Sequence, residues 1–208
     1  MAISSTTKFR KIAIGADHAG FELKEKLKKY LTEQGHAVFD CGTFSSESVD
    51  YPAIAYQVAG LIGKGEYELG IIVDGAGIGS AMTANKVAGV RAALCYDVST
   101  ARNSREHNDA NVLTLGAGLI GYELAKQIVD VWLSSECTVD RHLRRVEMIG
   151  EIEKGNFRNI LNWLRDHVHK YGRLMTADDI IKNACGKGLN AKVFVEYLKE
   201  KYLPLYEI

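Results

Sequence analysis

The chain has 208 residues, 47% hydrophobic and 25% charged, with 26 lysines and arginines against 26 aspartates and glutamates. That balance is globular and without net charge, so it excludes a disordered chain and a broad basic footprint for nucleic acid, leaving only a local basic pocket. Cys41, Cys95, Cys137 and Cys185 form no C-x-x-C pair, nothing approaches the ~18 apolar residues of a membrane span, and the apolar run after Lys8, Arg10 and Lys11 is too short for a signal peptide. Reduced thiols, no membrane partner and a cytoplasmic location are expected.

Residues 1–7 are small and polar and read as a loose end. A short strand over 11–14 precedes an amphipathic helix carrying Phe21, Leu23, Leu27 and Leu31, closed by Gly35. A strand over 37–39 and a helix over 52–62, with Pro52 near its start, come next. The alternation continues with strands over 69–73, 90–94 and 112–115 and helices over 80–86, 100–107 and 122–133. Five short apolar runs alternating with helices predict an α/β fold, a Rossmann-like, doubly wound five-stranded parallel sheet. Ligands of such sheets bind beyond the carboxyl ends of the strands. After about Glu151 only helical patterns remain, with Ile160, Leu161, Leu164 and Val168 on one face, Thr176 as an N-cap, breaks at Gly186 and Gly188, and Asn190 capping a last helix with Val193, Phe194, Tyr197 and Leu198. The expected organisation is an α/β domain over 8–152 and a C-terminal helical extension over 153–208.

Four stretches carry candidate chemistry. Val73-Asp-Gly-Ala-Gly-Ile-Gly79 follows a buried strand, and its glycines allow close backbone approach to an anion or a developing oxyanion; a tight strand-to-helix turn is the plain alternative. Asp74 stands at the mouth of this loop, placed to abstract a proton beside a carbonyl, or simply to cap the helix. Gly15-Ala-Asp-His-Ala-Gly20 brings Asp17 and His18 to the same edge, with an Asp cap and a surface His as the alternative. In Arg105-Glu-His-Asn-Asp109, His107 is the side chain that titrates near neutrality; in Arg141-His-Leu-Arg-Arg145, two arginines four apart on a helical face suit phosphate recognition, although a solvated basic turn has the same pattern. His167 and His169 lie two apart on a helix and do not form a metal pair.

Taken in order, G-A-D-H-A-G, D-Y-P at 50–52, G-A-G-I-G with A-N-K-V at 84–87, G-V-R-A-A at 89–93, H-N-D-A-N-V-L at 107–113 and R-H-L-R-R-V at 141–146 resemble the family of type B ribose-5-phosphate isomerase and galactose-6-phosphate isomerase. The resemblance implies an aldose–ketose isomerase of sugar phosphates that uses no metal or other cofactor and works through an enediolate. It implies a homodimer or homotetramer with the site at a subunit interface. His107 would help open the sugar ring and Asn108 would bind sugar oxygens. Gly75, Ala76, Gly77, Ile78 and Gly79 would hold the enediolate oxygens, with Ser80 beside them among the substrate-binding residues. His18, Arg141 and Arg145 would bind phosphate, the arginines reaching in from a neighbouring subunit, and Asp17 and Tyr51 would line the sugar pocket.

The pattern also departs from the family. Asp74 stands where a cysteine base is common and Ala76 where threonine is; Ser80 occupies a place where some members carry a glutamate, and Gly118 one where many carry a phosphate-binding arginine. An aspartate at this place is similar to the A subunit of galactose-6-phosphate isomerase, which works with a B subunit, so a partner subunit enters the expectations. The main reading is an isomerase with Asp74 as base; the other is a sugar-phosphate-binding subunit or sensor without its own turnover. A flavin or dinucleotide protein is disfavoured, because the region about 20 residues beyond the loop lacks an acidic ribose partner. The tail, with N-W-L-R-D-H-V-H-K-Y-G, T-A-D-D-I-I and V-E-Y-L-K-E-K-Y, is similar to the C-terminal end of thermostable metallocarboxypeptidases but lacks H-E-x-x-H, and is expected to be a packing or assembly element.

Overall fold

A computed structural model of the chain describes residues 8–188, 190–192, 195, 196 and 199. The loose end expected over 1–7 and the apolar face expected from Val193, Phe194, Tyr197 and Leu198 lie outside the described residues. The chain divides into two compact units, Met1–Glu153 and Lys154–Ile208.

The first unit runs β1 (Lys11–Ala16), α1 (Phe21–Glu33), β2 (Ala37–Asp40), α2 (Tyr51–Gly63), β3 (Leu69–Asp74), α3 (Ile78–Ala84), β4 (Ala92–Leu94), α4 (Val98–Asn108), β5 (Val112–Gly116), α5 (Tyr122–Ser134) and α6 (Asp140–Glu153). All five strands are parallel, in the order β2-β1-β3-β5-β4. Strand residues therefore point alternately into two apolar layers. Ile12, Ile14, Ile71, Val73, Leu113 and Leu115 pack with Leu23, Leu27 and Leu31 of α1 and with Ile128, Val129 and Trp132 of α5. On the other face Ala13, Ile72 and Val112 pack with Ala55, Val58, Ala59 and Ile62 of α2 and Ala84 of α3. This is the expected doubly wound α/β sheet.

Two predicted helix starts come out early, each for a local reason. The helix expected from Ser80 begins at Ile78, because the Asp74 carboxylate accepts from its first-turn amides. The helix expected from Thr100 begins at Val98, because Asp97 and Thr100 form a capping box. The fourth strand is shorter than expected and starts at Ala92, since Arg91 binds the Asn108–Asn111 turn instead.

The second unit contains α7 (Arg158–Leu164), a π-helical turn (Arg165–His169), a short 3-10 turn (Gly172–Leu174) and α8 (Ala177–Cys185). Trp163 stacks on His167 at 4.8 Å between ring centroids. Thr176 caps α8 by accepting from the Asp179 amide at 3.2 Å, and Gly186, at φ 73°, ends it. Among the described residues no helix is long and apolar enough to cross a membrane, and no group of three or more His, Cys, Asp or Glu side chains is placed to hold a metal.

Candidate active site

The strand order places a switch point at β1 and β3. From β1 the chain leaves in one direction to β2, and from β3 in the other to β4, so the loops beyond the carboxyl ends of β1 and β3 diverge and open a crevice. Asp17 and Asp74 stand at those two strand ends and are joined through the backbone, the Asp17 amide donating to the Val73 carbonyl at 3.2 Å. Gly20 lets the β1–α1 turn close on β3, since a Cβ there would lie 2.2 Å from the Val73 carbonyl oxygen.

Asp74 is buried, and its own loop wraps around it. Its Oδ1 accepts from the amides of Ala76, at 2.9 Å, and Gly77; its Oδ2 accepts from the amide of Ser80, at 3.1 Å, and from the fully buried Ser80 hydroxyl. Tyr96 braces the same loop by donating to the Ala76 carbonyl at 2.8 Å. The Tyr51 ring lies close against Gly79, where a Cβ would stand 2.5 Å from the ring. Gly77 has φ 76°, a backbone that favours glycine. Ile78 is exposed beside it. This arrangement corrects one expectation. The amides of Ala76, Gly77 and Ser80 face the Asp74 carboxylate rather than open space, so as placed they are not free for substrate oxygens. Gly118 also sits against the loop: its amide donates to the Gly75 carbonyl at 3.0 Å, and a Cβ would stand 3.0 Å from the same oxygen. Asp17 and His18 flank the crevice; Asp17 Oδ1 accepts from the Gly20 amide at 2.9 Å, and His18 Nδ1 accepts from the Val49 amide at 3.3 Å.

The remaining expected residues are elsewhere. α4 starts at the carboxyl edge of the sheet and runs back antiparallel to the strands, so His107 and Asn108 at its end lie by the amino edge. The following turn confirms this: Asn111 donates its amide to the Arg91 carbonyl at 3.1 Å and its side-chain amide to the Gly89 carbonyl at 2.8 Å, just before β4. Four residue steps of β5 separate the two edges, about 13 Å at ~3.3 Å per residue. The amino edge is held by Asp109, which adopts the left-handed region at φ 46° and accepts from Arg91 at 2.9 Å and Arg105 at 3.0 Å. Arg105, conspicuous in the sequence beside His107, is buried and structural: it donates to the Ala110 carbonyl at 2.6 Å and lies over the Trp132 ring.

α6 packs on α4 and brings Arg141 and Arg145 to this amino edge. The contact runs through His142, which the sequence reading passed over. His142 is buried, its ring 4.1 Å from that of His107, and its Nε2 accepts from Arg141 Nε at 3.0 Å. Burial pushes its pKa below the ordinary histidine value, and the positive neighbours His107, Arg141 and Arg145 push the same way. Arginines flanking a histidine on a helix were the available signal; its burial was not. Thus the structure separates the expected site residues into two groups: Asp17, His18, Tyr51 and the Asp74–Ser80 loop at the carboxyl edge, and His107, Asn108, Arg141 and Arg145 at the amino edge.

A doubly wound parallel sheet with a switch-point crevice floored by two buried aspartates and a glycine-rich loop defines a small-molecule α/β enzyme scaffold. Residues 12–149, more than half of the chain, match the Ribose/Galactose Isomerase family, and the chain belongs to that family. It is 48% identical over 145 residues to ribose-5-phosphate isomerase B of Escherichia coli (strain K12), covering 70% of this chain and 97% of that one. It is 43% identical over 143 residues to D-erythrulose-4-phosphate isomerase of Pectobacterium atrosepticum, covering 68% and 94%. The solved structure of ribose-5-phosphate isomerase B from Clostridium thermocellum is similar at TM-score 0.68 and 49% identity, covering 70% of this chain and 98% of that one. Residues 122–202 are also similar to the carboxypeptidase Taq (M32) metallopeptidase family.

Proposed function

We propose that this protein interconverts the aldose and ketose forms of a phosphorylated sugar, through an enediolate and without a metal ion. The observation that carries the reading is the family match joined to the two half-sites: buried carboxylates and a glycine-rich loop at one edge, histidine and arginines at the other. A proton must leave the carbon beside a carbonyl, and a carboxylate suits that step. The phosphate needs fixed positive charge, which Arg141 and Arg145 supply as planar donors. Because these groups sit at opposite edges of one sheet, the working site takes its carboxyl edge from one copy and His107, Asn108, Arg141 and Arg145 from another. This extends the expectation that only the arginines come from a neighbour. A closed pair of identical chains satisfies both sites at once.

The test is a panel of tetrose, pentose and hexose phosphates, including ribose 5-phosphate and erythrulose 4-phosphate, incubated in D2O with the chain alone and with chelator. Aldose–ketose exchange with solvent deuterium at the reacting carbons, unaffected by chelator, is expected. Binding without exchange on every sugar would leave a binding subunit that needs a partner, a reading favoured only by how fully Asp74 is engaged in its own loop. Loss of exchange with chelator would remove the metal-free mechanism.

A further inference from the structure

The two buried aspartates of the crevice differ in what their oxygens do. An ionised carboxylate offers about four lone-pair directions. On Asp74 four donors fill them, two on each oxygen: the amides of Ala76, Gly77 and Ser80, and the Ser80 hydroxyl. Three of these donors are backbone groups of one tight turn, so they cannot rotate away singly. A proton arriving at Asp74 would have to displace one of them.

Asp17 lies as deep, 8% exposed against 5% for Asp74, but only its Oδ1 is engaged, by the Gly20 amide at 2.9 Å. Its other oxygen has no donor among the described residues. Nor is that oxygen sealed in the interior, where the unpartnered side-chain atoms are Arg10 Nε, Thr114 Oγ1 and Trp132 Nε1. It therefore keeps contact with solvent, on a residue whose amide is bonded to Val73, immediately before Asp74 and the glycine-rich loop. Depth without saturation is what a general base needs: the charge is partly withdrawn from water, and a lone pair remains to take the proton.

We propose that Asp17 is the proton acceptor of the isomerisation and that Asp74 shapes the loop without exchanging protons with substrate. The inference rests on the isomerase reading above. In the forward step the free Asp17 oxygen takes the proton from the carbon beside the carbonyl. The C–H electron pair becomes the carbon–carbon double bond of the enediolate, and the carbonyl π pair moves onto its oxygen. Asp17 then returns the proton to the neighbouring carbon, the hydroxyl proton passes between the two enediolate oxygens, and the new carbonyl forms. Nothing is oxidised or reduced overall, and no co-reactant is consumed.

Asp17→Asn isolates this role, because the asparagine oxygen still accepts from the Gly20 amide and only the basic carboxylate is lost. On the wild type's best sugar phosphate, with folding checked by circular dichroism, kcat and deuterium incorporation are expected to fall about 10²–10⁴-fold with KM changed only a few-fold. Asp74→Asn is expected to raise KM and lower the melting temperature while deuterium still enters bound substrate. A folded Asp17→Asn chain with wild-type exchange overturns the proposal. So does a folded, substrate-binding Asp74→Asn chain without exchange, whatever Asp17→Asn does. A wild-type chain that exchanges deuterium into no sugar phosphate overturns the isomerase reading as well, so the two failures are distinguishable.

Discussion

The carboxyl and amino edges of the sheet are built by opposite means. At the carboxyl edge the strands run straight into loops, and the buried groups are acidic: Asp17 and Asp74, held by backbone amides of their own turns. At the amino edge helices end, and the exposed groups are basic or neutral: His107 and Asn108 at the end of α4, Arg141 and Arg145 on α6, with Asp109 locked between Arg91 and Arg105. The difference follows from one topological fact. Helices in a parallel sheet run opposite to the strands, so the start and the end of each connection lie at opposite edges. The two edges stand about 13 Å apart along β5.

The sharpest way to break this comparison is to divide the lesions between chains. His107→Ala and Asp17→Asn chains, each made alone, are expected to lose 10²–10⁴-fold in turnover. Co-expressed, each supplies the edge the other lacks, and about a quarter of wild-type sites should return in randomly paired dimers. Tagged co-purification followed by turnover measurement checks this, and no recovery would place both edges' functions within one copy.

Next in size is the amino edge alone. Arg145→Ala is expected to raise KM by roughly 10–100-fold, the value of about 1.5–3 kcal/mol for a hydrogen bond to a charged group. The melting temperature should hold, since Arg145 is exposed. An unchanged KM would remove it from phosphate binding.

At the carboxyl edge, steric change in the β1–α1 turn should also register. Gly20→Ala forces a Cβ to within 2.2 Å of the Val73 carbonyl, and backbone cannot yield there as a side-chain tip can. A loss of about 1–3 kcal/mol or more is expected by denaturant unfolding. Gly121→Ala, with no neighbour near its added Cβ, serves as the control.

The smallest effect is acid sensitivity. Burial holds His142 and His36 below the ordinary histidine pKa, with Arg10 adding to it at His36. Unfolded, both take up a proton near pH 6.5. The stability that comes from keeping them neutral is therefore complete above about pH 6.5 and is lost progressively as pH falls toward their folded values. Melting temperature measured from pH 7.5 to 5 should drop, and His142→Gln, which still accepts from Arg141, should flatten part of that slope. An unaltered slope would show that the α4–α6 contact does not respond to His142.

What the sequence determined by itself was the frame. Short apolar runs alternating with amphipathic stretches specified the parallel sheet, the glycines at 75, 77 and 79 marked the crevice loop, and ordered short motifs identified the family. Local capping was legible in part: Thr176 caps α8 as expected, whereas the Asp97–Thr100 box starts α4 two residues ahead of the expected position. The state of each site residue was not legible. Asp17 and Asp74 look alike in sequence, each an acidic residue after a buried strand. Only the tertiary structure shows one carboxylate saturated by its own turn and the other half free, because that depends on where four amide and hydroxyl donors point. His142 hid among arginines because burial on α4 is set by helix packing and not by neighbours in sequence. The separation of the half-sites was likewise decided in three dimensions. Distance across a sheet is fixed by strand length and helix direction, which place residues adjacent in a motif list at opposite ends of the molecule.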